Sequence, residues 1–363
     1  MKARVLALYL PQFHPIEEND RWWGKGFTEW TNVGKAKRYF PGHYQPRVPA
    51  DLGYYDLRVP ETRKAQADMA RRYGVEGFIY WHYWFGNGKR LLERPFNEVL
   101  ASGEPDFPFA LAWANETWKG FAHGLTNRNT LIEQQYPGEE DYIAHFYAVL
   151  PAFKDKRYVT VDGKPIFMIY KPHQLPDAKQ FIELWQGLAK KNGLPGIYFV
   201  AHHQSRKDHA YKTEQKSVEE FLEQGFDAVN FVRLTAYLEH RSTIKKIKNK
   251  IWRKVFRYPL ICRYDICSKY FSNAIDGDDH VIPTIIPAWD HTPRSGREGL
   301  VFGHSTPDLF GKHVREVIEQ IVNKPDEHKL VILKSWNEWA EGNYMEPDLK
   351  WGHEYLKALK AEL

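Results

Sequence analysis

Short apolar segments recur along the chain and alternate with longer amphipathic stretches. Each apolar segment is rich in β-branched or aromatic residues, which is typical of strands buried on both faces of a parallel sheet. The predicted strands span residues 4–10, 76–84, 109–114, 165–170, 196–201, 227–232, 281–289 and 329–336.

Amphipathic segments between most of these strands predict helices. These helices span residues 60–73, 89–101, 139–153, 177–191, 217–224 and 307–322. Several start signals support them, including Thr306 as the N-cap before Pro307. Eight buried strands alternating with helices predict an α/β fold, a single (β/α)8 TIM-type barrel over residues 1–363.

An open, doubly wound sheet is the rival architecture. The residues after the first predicted strand read LPQFHP (10–15), and they lack the glycine-rich phosphate turn of that fold. Two connections, 11–59 and 233–280, are longer than ordinary turns, so we expect long functional loops after strands 1 and 6.

The composition narrows the class of protein. Aromatic residues make up 15% of the 363 residues, and such rings stack on the apolar faces of sugars as well as filling cores. No apolar run is long enough to span a bilayer, and two cysteines are too few for a disulfide scaffold. The N-terminal segment lacks the features of a secretory signal, so a cytoplasmic location is predicted.

Positive charge is concentrated in one segment of the chain. Nine Lys or Arg and no Asp or Glu lie between Arg241 and Arg263; subtracting them from the net charge of +5 leaves about −4 elsewhere. A nucleic-acid-binding protein usually spreads basic residues over a whole face, so no nucleic-acid partner is expected. Apolar residues recur at helical spacing in this segment. They predict either a solvated helix on the barrel rim or a basic amphipathic helix that contacts an anionic inner membrane and a lipid-linked glycan.

Catalytic groups of a (β/α)8 barrel follow the carboxyl ends of its strands. In this chain, polar and aromatic residues gather at those positions and in the first loop, as a site for a polyhydroxylated ligand requires. The predicted substrate-binding residues are Tyr9, Gln12, His14, Trp30, Trp81, His82, Trp113, Asn115, Glu116, Tyr170, His202, Asn230, Trp289, Asp290, Arg294, Trp336 and Trp339.

The segment SWNEWAEGNYMEPD (335–348) holds Glu338 and Glu341 three positions apart, directly after the last predicted strand. That spacing places both carboxylates on one side of a turn. Two close carboxylates cannot both ionise freely, so their pKa values are expected to split. An acid and a base together are what cleavage of an acetal requires, so both are predicted to be catalytic. A pair of this kind taken alone is more often a solvated helix face; the flanking Trp336 and Trp339 favour a site.

Other candidates leave alternatives open. Asn115-Glu116 ends the third predicted strand, so Glu116 is either a rival catalytic acid or a substrate-binding residue. Asp290 and Arg294 can form an ion pair that shapes the pocket. His202 and His203 are adjacent and no metal-binding motif accompanies them, so neither a metal nor another cofactor is expected.

Five blocks of sequence carry a resemblance to a known family. They occupy residues 9–33, 53–85, 112–118, 288–294 and 335–348, and include YLPQFHP, YWHYWF, AWANETW, AWDHTPR and SWNEWAEGNYMEPD. Together they resemble the WbsX-type, glycoside hydrolase family 99-like domain over nearly the whole chain. This family is associated with bacterial surface-polysaccharide loci, of the O-antigen type, and some members are labelled glycosyltransferases.

The resemblance implies a mechanism. Family 99 endo-acting α-mannosidases are (β/α)8 barrels that cleave with retention, need no metal, and use two glutamates in a motif similar to NEWAEG. Those glutamates correspond to Glu338, as the base on the substrate's 2-hydroxyl, and Glu341, as the acid that protonates the leaving oxygen. His291 stands where related sequences more often have Asn, and mannose specificity does not carry over.

These observations predict a retaining glycoside hydrolase that acts on a bacterial polysaccharide or lipid-linked glycan. One alternative is a glycosyltransferase of surface-polysaccharide synthesis, and another is a non-catalytic glycan-binding barrel. The sugar, the linkage and endo or exo action are left open.

Overall fold

A computed structural model of the protein describes residues 2–120, 129–204 and 211–363. Its centre is a sheet of eight parallel strands. They are β1 (Arg4–Tyr9), β2 (Val75–Trp84), β3 (Phe109–Trp113), β4 (Lys164–Ile169), β5 (Tyr198–Gln204), β6 (Ala228–Val232), β7 (Val281–Ile285) and β8 (Leu330–Leu333).

Each strand pairs in parallel with the next one in the chain, and β8 pairs again with β1. The sheet therefore closes into a (β/α)8 barrel, which confirms the predicted fold and excludes the open sheet. All eight predicted strands are present. β7 and β8 end before residues 289 and 336 because the chain there leaves the ladder for the barrel rim.

The helices lie between the strands and in the loops. They are α1 (Glu17–Trp23), α2 (Glu29–Gly34), α3 (Pro60–Arg72), α4 (Arg94–Ser102), α5 (Glu139–Phe153), α6 (Ala178–Lys191), α7 (Tyr211–Glu223), α8 (Ala236–Glu239), α9 (Thr243–Phe256), α10 (Tyr264–Cys267), α11 (Thr292–Ser295), α12 (Pro307–Ile321) and α13 (Glu354–Glu362). The six predicted helices are present, and the Thr306 side chain caps α12 by accepting from Leu309 N. The sequence did not predict α13, which packs against α12.

The long connection after β6 is folded around a small core of its own. Within it, the strand Leu260–Arg263 pairs in parallel with Leu300–Gly303, which follows β7. Tyr264, Phe271 and Phe302 pack between them. This unit covers the rim of the barrel beside the end of β7.

A buried ion-pair cluster fixes the start of that connection. Arg233 directly follows β6 and contacts Glu214 of α7 and Asp276, each at 2.8 Å. All three side chains are almost fully buried, so the cluster ties α7 and the long connection to the barrel. Across the described ranges, no helix is long and apolar enough to pass through a bilayer.

Candidate active site

A cavity of about 240 Å³ lies at the carboxyl ends of the barrel strands. Side chains from the ends of all eight strands or the loops after them line it. The lining residues are Leu10, Gln12, Trp81, Tyr83, Ala114, Glu116, Trp118, Tyr170, Gln204, Leu234, Trp289, Arg294, Lys334, Glu338 and Glu341. This is the end of the barrel at which enzymes of this fold carry their active sites.

A tight hairpin after β8 presents two glutamates to the cavity. Asn337–Glu338 pairs in antiparallel fashion with Asn343–Tyr344 across a short turn. Gly342 closes the turn with φ +61°, and a Cβ there would lie 2.7 Å from the Cβ of Asp290. Glycine is therefore required both by the backbone conformation and by the packing.

Lys334 supplies a cation shared by both glutamates. It follows β8 directly, and its Nζ lies 3.8 Å from Glu338 Oε2 and 3.8 Å from Glu341 Oε2. The same ammonium lies 5.4 Å from the centre of the Trp289 ring. Because Lys334 is buried, its charge offsets the repulsion between the two carboxylates with little screening.

Arg294 fixes the charge of Glu341. It lies on α11, donates a hydrogen bond to Glu341 Oε1, and contacts Glu29 Oε2 at 3.2 Å. Burial alone would raise the pKa of Glu341, but the charges of Arg294 and Lys334 bring that pKa below its ordinary value. Glu341 is therefore a carboxylate in the unliganded protein.

The pKa of Glu338 is shifted in the opposite direction, above its ordinary value. Its carboxyl accepts a hydrogen bond of 3.1 Å from Trp81 Nε1 and is otherwise enclosed. Burial, followed by the charge of Glu341, raises the pKa of Glu338 to about 7. The two pKa values thus split, so the pair holds about one proton below pH 7 and about half of one near pH 7, mostly on Glu338, which hydrogen-bonds Glu341.

Glu116 is a third carboxyl group in the same cavity. Its Oε2 lies 3.8 Å from Lys171 Nζ, and a third of its side chain is exposed. Burial raises the pKa of Glu116, and Lys171 partly offsets that effect. Glu116 therefore has a cation of its own, and the charges of Arg294 and Lys334 also act to lower its pKa.

Aromatic rings make up the walls between these carboxyl groups. Trp81 meets Tyr170 edge to face at 5.2 Å, and Trp118 meets Tyr83 at 5.1 Å. Trp289 stacks on His291, whose Nε2 lies 3.7 Å from Glu341 and whose pKa is lowered by burial to about 4. Flat apolar walls beside carboxylates suit the faces and hydroxyl groups of a sugar.

The structure brings eight of the predicted site residues together in this cavity. They are Gln12, Trp81, Glu116, Tyr170, Trp289, Arg294, Glu338 and Glu341. The expectation that Tyr9, His82, Asn115, His202, Asn230 and Asp290 line the same cavity is wrong.

Strand geometry explains two of these differences and also the position of Trp113, another predicted residue that does not line the cavity. Successive side chains of a strand point to opposite faces, so Trp81 and Tyr83 face the cavity whereas His82 faces the helices. His82 Nε2 lies 2.8 Å from His145 Nε2 on α5. Tyr9 and Trp113 likewise point outward: the Tyr9 hydroxyl donates to Gln66 of α3, and the Trp113 indole donates to the Trp84 carbonyl.

Other predicted residues support the cavity from below or from one side. His202 Nδ1 pairs with Asn230 Oδ1 at 2.9 Å inside the barrel, and its ring lies against Tyr170. Asn115 joins two strand ends, because its amide accepts from Lys171 N and donates to Lys171 O. His203 points away from His202 toward Phe231. In the described parts of the chain, no three His, Cys, Asp or Glu side chains converge as a metal would require.

Asp290 lies behind the hairpin that follows β8. It accepts hydrogen bonds of 2.8 Å from His43 and from Gln45, and it lines a second cavity of about 240 Å³. The predicted ion pair between Asp290 and Arg294 is therefore wrong: Arg294 contacts Glu29 and Glu341 instead.

The remaining predicted residues pack around the hairpin or in the first loop. Trp336 and Trp339 are fully buried, and Trp339 donates to Glu346 at 2.6 Å. Trp30 packs on Trp339 and donates to the Tyr55 carbonyl. His14 is buried against the carbonyl of Pro11. None of these four side chains reaches the lining of the cavity.

The sequence reasoning missed several residues that shape the site. Lys334 is the most consequential, and its signal was its position directly before the SWNEW block. Tyr83 could have been predicted from the alternation of side chains along β2, because it lies two residues after Trp81 and faces the same cavity. Glu29, the second partner of Arg294, was visible only as part of the block 9–33.

A carboxylate pair in an aromatic cavity at this end of a (β/α)8 barrel is typical of a carbohydrate-active enzyme. The chain belongs to the WbsX family, since the family described as Glycosyltransferase WbsX matches residues 5–359. The resemblance drawn from the sequence is thus confirmed, and family and fold together indicate a carbohydrate-active enzyme.

Two curated proteins are similar to this chain in sequence. The chain is 34% identical, over its whole length, to an uncharacterized protein WxcX of Xanthomonas campestris pv. campestris, and 35% identical to WxcX of another strain. The chain spans about half the length of these curated relatives.

Solved structures share the fold. A glycoside hydrolase-like protein matches with a TM-score of 0.61 and 17% identity, over 99% of this chain and 93% of the other. A GH99 endo-alpha-mannosidase from Bacteroides thetaiotaomicron matches with a TM-score of 0.58 and 14% identity, over 99% and 95% of the two chains. At these identities the similarity concerns the fold alone.

Proposed function

We propose that the cavity is the active site of a retaining glycoside hydrolase in which Glu338 and Glu341 form the acid–base pair. The observation that carries this proposal is two largely enclosed carboxyl groups that share the cation of Lys334 in an aromatic cavity. Their pKa values are shifted in opposite directions. One member can give a proton to a leaving oxygen while the other accepts one, as cleavage of a glycosidic bond requires.

The roles follow those that the family resemblance implies. Glu338 takes the proton of the substrate's 2-hydroxyl as that oxygen attacks the anomeric carbon and the glycosidic bond breaks. Glu341 gives its proton to the leaving oxygen, which leaves a 1,2-anhydro sugar. Water then opens this ring on the anomeric carbon: Glu341 accepts the proton of the water, and Glu338 returns its proton to the 2-hydroxyl.

For these roles to apply, substrate binding has to move the proton that Glu338 holds in the unliganded protein to Glu341. In the unliganded protein Arg294 stabilises the Glu341 carboxylate, and Glu338 holds the proton. A 2-hydroxyl that donates a hydrogen bond to Glu338 favours the ionised form of that residue. The hydrogen bond between the two carboxyl groups then gives the proton a direct path to Glu341.

Activated substrates test this assignment. With 2,4-dinitrophenyl glycosides of common hexoses and deoxyhexoses, the leaving group needs no proton, so Glu341→Gln should release the first equivalent of dinitrophenolate at a rate within about tenfold of wild type. The later water step, which uses Glu341 as its base, should stay slow in this variant. The same variant should lose ~10²–10⁴ in rate on the natural glycan. Glu338→Gln should be slow on both substrates, because the attacking hydroxyl still lacks its base. Rescue of Glu338→Gln instead of Glu341→Gln would reverse the roles.

The substrate in this proposal is a bacterial polysaccharide or a lipid-linked glycan, and the protein acts in the cytoplasm. Incubation with the glycan made by its own gene neighbourhood, with products read by mass spectrometry, tests the substrate class. Binding of that glycan without any product from the wild type would instead support a non-catalytic glycan-binding barrel.

The name of the family favours one second candidate, a retaining glycosyltransferase of surface-polysaccharide synthesis. The same pair would then serve an acceptor hydroxyl in place of water. Calorimetry with a panel of nucleotide sugars separates the two functions: micromolar binding supports the transferase, and no binding supports the hydrolase.

A further inference from the structure

The helix α9 displays an apolar surface that the rest of the described chain does not cover. Six large apolar side chains on it are each more than half exposed: Ile244, Ile247, Ile251, Trp252, Val255 and Phe256. The other five exposed large apolar residues among those described are scattered over the barrel. A contiguous apolar surface of this kind marks an interaction site rather than ordinary surface variation.

The helical period sorts the residues of α9 into two faces. Ile244, Ile247, Ile251 and Val255 follow the spacing of one stripe, and the contacting rings of Trp252 and Phe256 widen it on one side. The exposed Lys246 and Lys250 lie on the other side, with Arg253, whereas the exposed Lys245 and Lys254 flank the apolar residues. No acidic residue occurs between Arg241 and Arg263, so the charge of this face is uncompensated within the segment.

The helix has a defined start and a fixed attachment to the barrel. Ser242 caps it by accepting a hydrogen bond from Lys245 N. Arg253 pairs with Glu298 at 2.5 Å, and Tyr258, just past the helix, lies against Phe40. These contacts hold α9 from its polar side and leave the apolar stripe directed into solvent.

The attachment also places α9 at the catalytic end of the barrel. Glu298 lies four residues after Arg294, which lines the active-site cavity and contacts Glu341. The strand Leu260–Arg263 that follows α9 pairs beside the end of β7, on the same rim. The helix and the cavity therefore share one face of the molecule.

We propose that α9 is an interfacial helix that binds the surface of an anionic lipid bilayer. Its apolar stripe enters the boundary between head groups and acyl chains, with Trp252 at the level of the head groups, and its lysines contact anionic lipids. A basic face opposite an apolar face that carries Trp and Phe is the composition of such helices. A protein partner that covered the same stripe would leave the lysine face without a counter-charge.

Binding in this orientation holds the active-site face at the membrane. If the proposed glycosidase function is correct, the substrate class is a glycan joined to a lipid, since only the sugar part then needs to reach the cavity. This second part rests on the proposed function, whereas membrane binding itself does not.

Vesicle flotation of the full chain tests the proposal. At ~0.1 M salt, recovery with vesicles of phosphatidylcholine and phosphatidylglycerol should exceed recovery with phosphatidylcholine alone by about tenfold, and 1 M salt should abolish the difference. The double variant Ile251→Glu/Trp252→Glu should lose at least tenfold in vesicle binding. Val322→Glu, which changes an equally exposed apolar residue at the end of α12, should bind as wild type does.

Three results would overturn the proposal: equal recovery with neutral and anionic vesicles, no recovery with either, or self-association of the wild type without vesicle binding. The third result would assign the stripe to contacts between copies. The α9 double variant should hydrolyse a soluble aryl glycoside at the wild-type rate, and Glu341→Gln should bind vesicles normally. Failure of membrane binding and failure of the proposed chemistry are therefore distinguishable.

Discussion

The Arg294 guanidinium donates a hydrogen bond to the carboxylate of Glu341, although 47 residues separate the two in the chain. Arg294 comes from the loop after β7, and Glu341 comes from the hairpin after β8. The same guanidinium also contacts Glu29 in the loop after β1. One cation thus joins three rim segments and sets the charge of a proposed catalytic group.

Removing that cation should shift the pH dependence of turnover. Arg294 lowers the pKa of Glu341 and also acts on Glu338, so Arg294→Met should raise both pKa values and move the whole pH–rate profile toward higher pH. Arg294→Lys keeps the charge and should shift the profile much less. The profiles of kcat/KM, measured on protein that circular dichroism shows to be folded, check this. An unmoved profile in Arg294→Met would mean that the pair does not control the rate.

The two glutamates should act as one unit. Glu338→Gln and Glu341→Gln should each reduce turnover of the natural glycan by ~10²–10⁴ while substrate binding survives. The double variant should be no more than about tenfold slower than either single variant, because each residue is useless without the other. Rate losses that multiply would contradict a shared step.

Two other glutamates provide controls for that series. Glu346→Gln changes an acid of the same segment that lies outside the active-site lining and binds Tyr55, Gln66 and Trp339, so its loss of rate should be under tenfold. Glu116→Gln tests the rival acid. Abolished turnover in Glu116→Gln, with most activity kept in Glu341→Gln, would move the acid–base role to the loop after β3.

The raised pKa of Glu338 should appear in the stability of the protein. The folded pKa of about 7 exceeds the unfolded value of about 4.3. The folded state therefore holds this proton over the window in which the unfolded state has released it, so stability falls as pH rises from about 4.5 to 7. The group accounts for about 3 kcal/mol of that fall. Urea unfolding at pH 5 and pH 8 should give a correspondingly smaller difference for Glu338→Gln than for wild type.

The buried cluster around Arg233 should matter for folding. Arg233→Met leaves the carboxyl groups of Glu214 and Asp276 buried without their cation, which should cost ~3–5 kcal/mol of unfolding free energy. Arg315→Met breaks a solvent-exposed pair with Glu362 and should cost much less, because water screens the interaction. Chemical denaturation of the two variants provides the comparison, and equal costs would show that burial of the cluster is unimportant.

The barrel could be predicted because its signals are local. A strand covered on both faces by helices must be apolar throughout, and the eight segments had that composition. α13 was missed because a nine-residue helix packed on α12 carries little pattern of its own.

The site was predictable only in part, for a geometric reason. The sequence marks the end of each strand but fixes the direction of each side chain only after its register is known. Trp81 and His82 are neighbours in the chain, yet one lines the cavity and the other contacts His145 of α5. The contacts of Arg294 with Glu29 and Glu341 depend on how three loops pack at the barrel rim. The spacing of residues in the sequence does not predict that packing.

The hydrogen bonds of the Asn337 side chain bear on when the site can form during synthesis of the chain. Its Oδ1 accepts from Leu10 N and its Nδ2 donates to Leu10 O, so the position next to Glu338 is held by residues from the beginning of the chain. During synthesis, the first strand is complete more than three hundred residues before its partner emerges. A nascent polypeptide that stops before the hairpin therefore contains a nearly complete barrel but not the two glutamates proposed as the acid–base pair. The cavity is therefore complete only when the hairpin after β8 has docked on residues that follow the first strand.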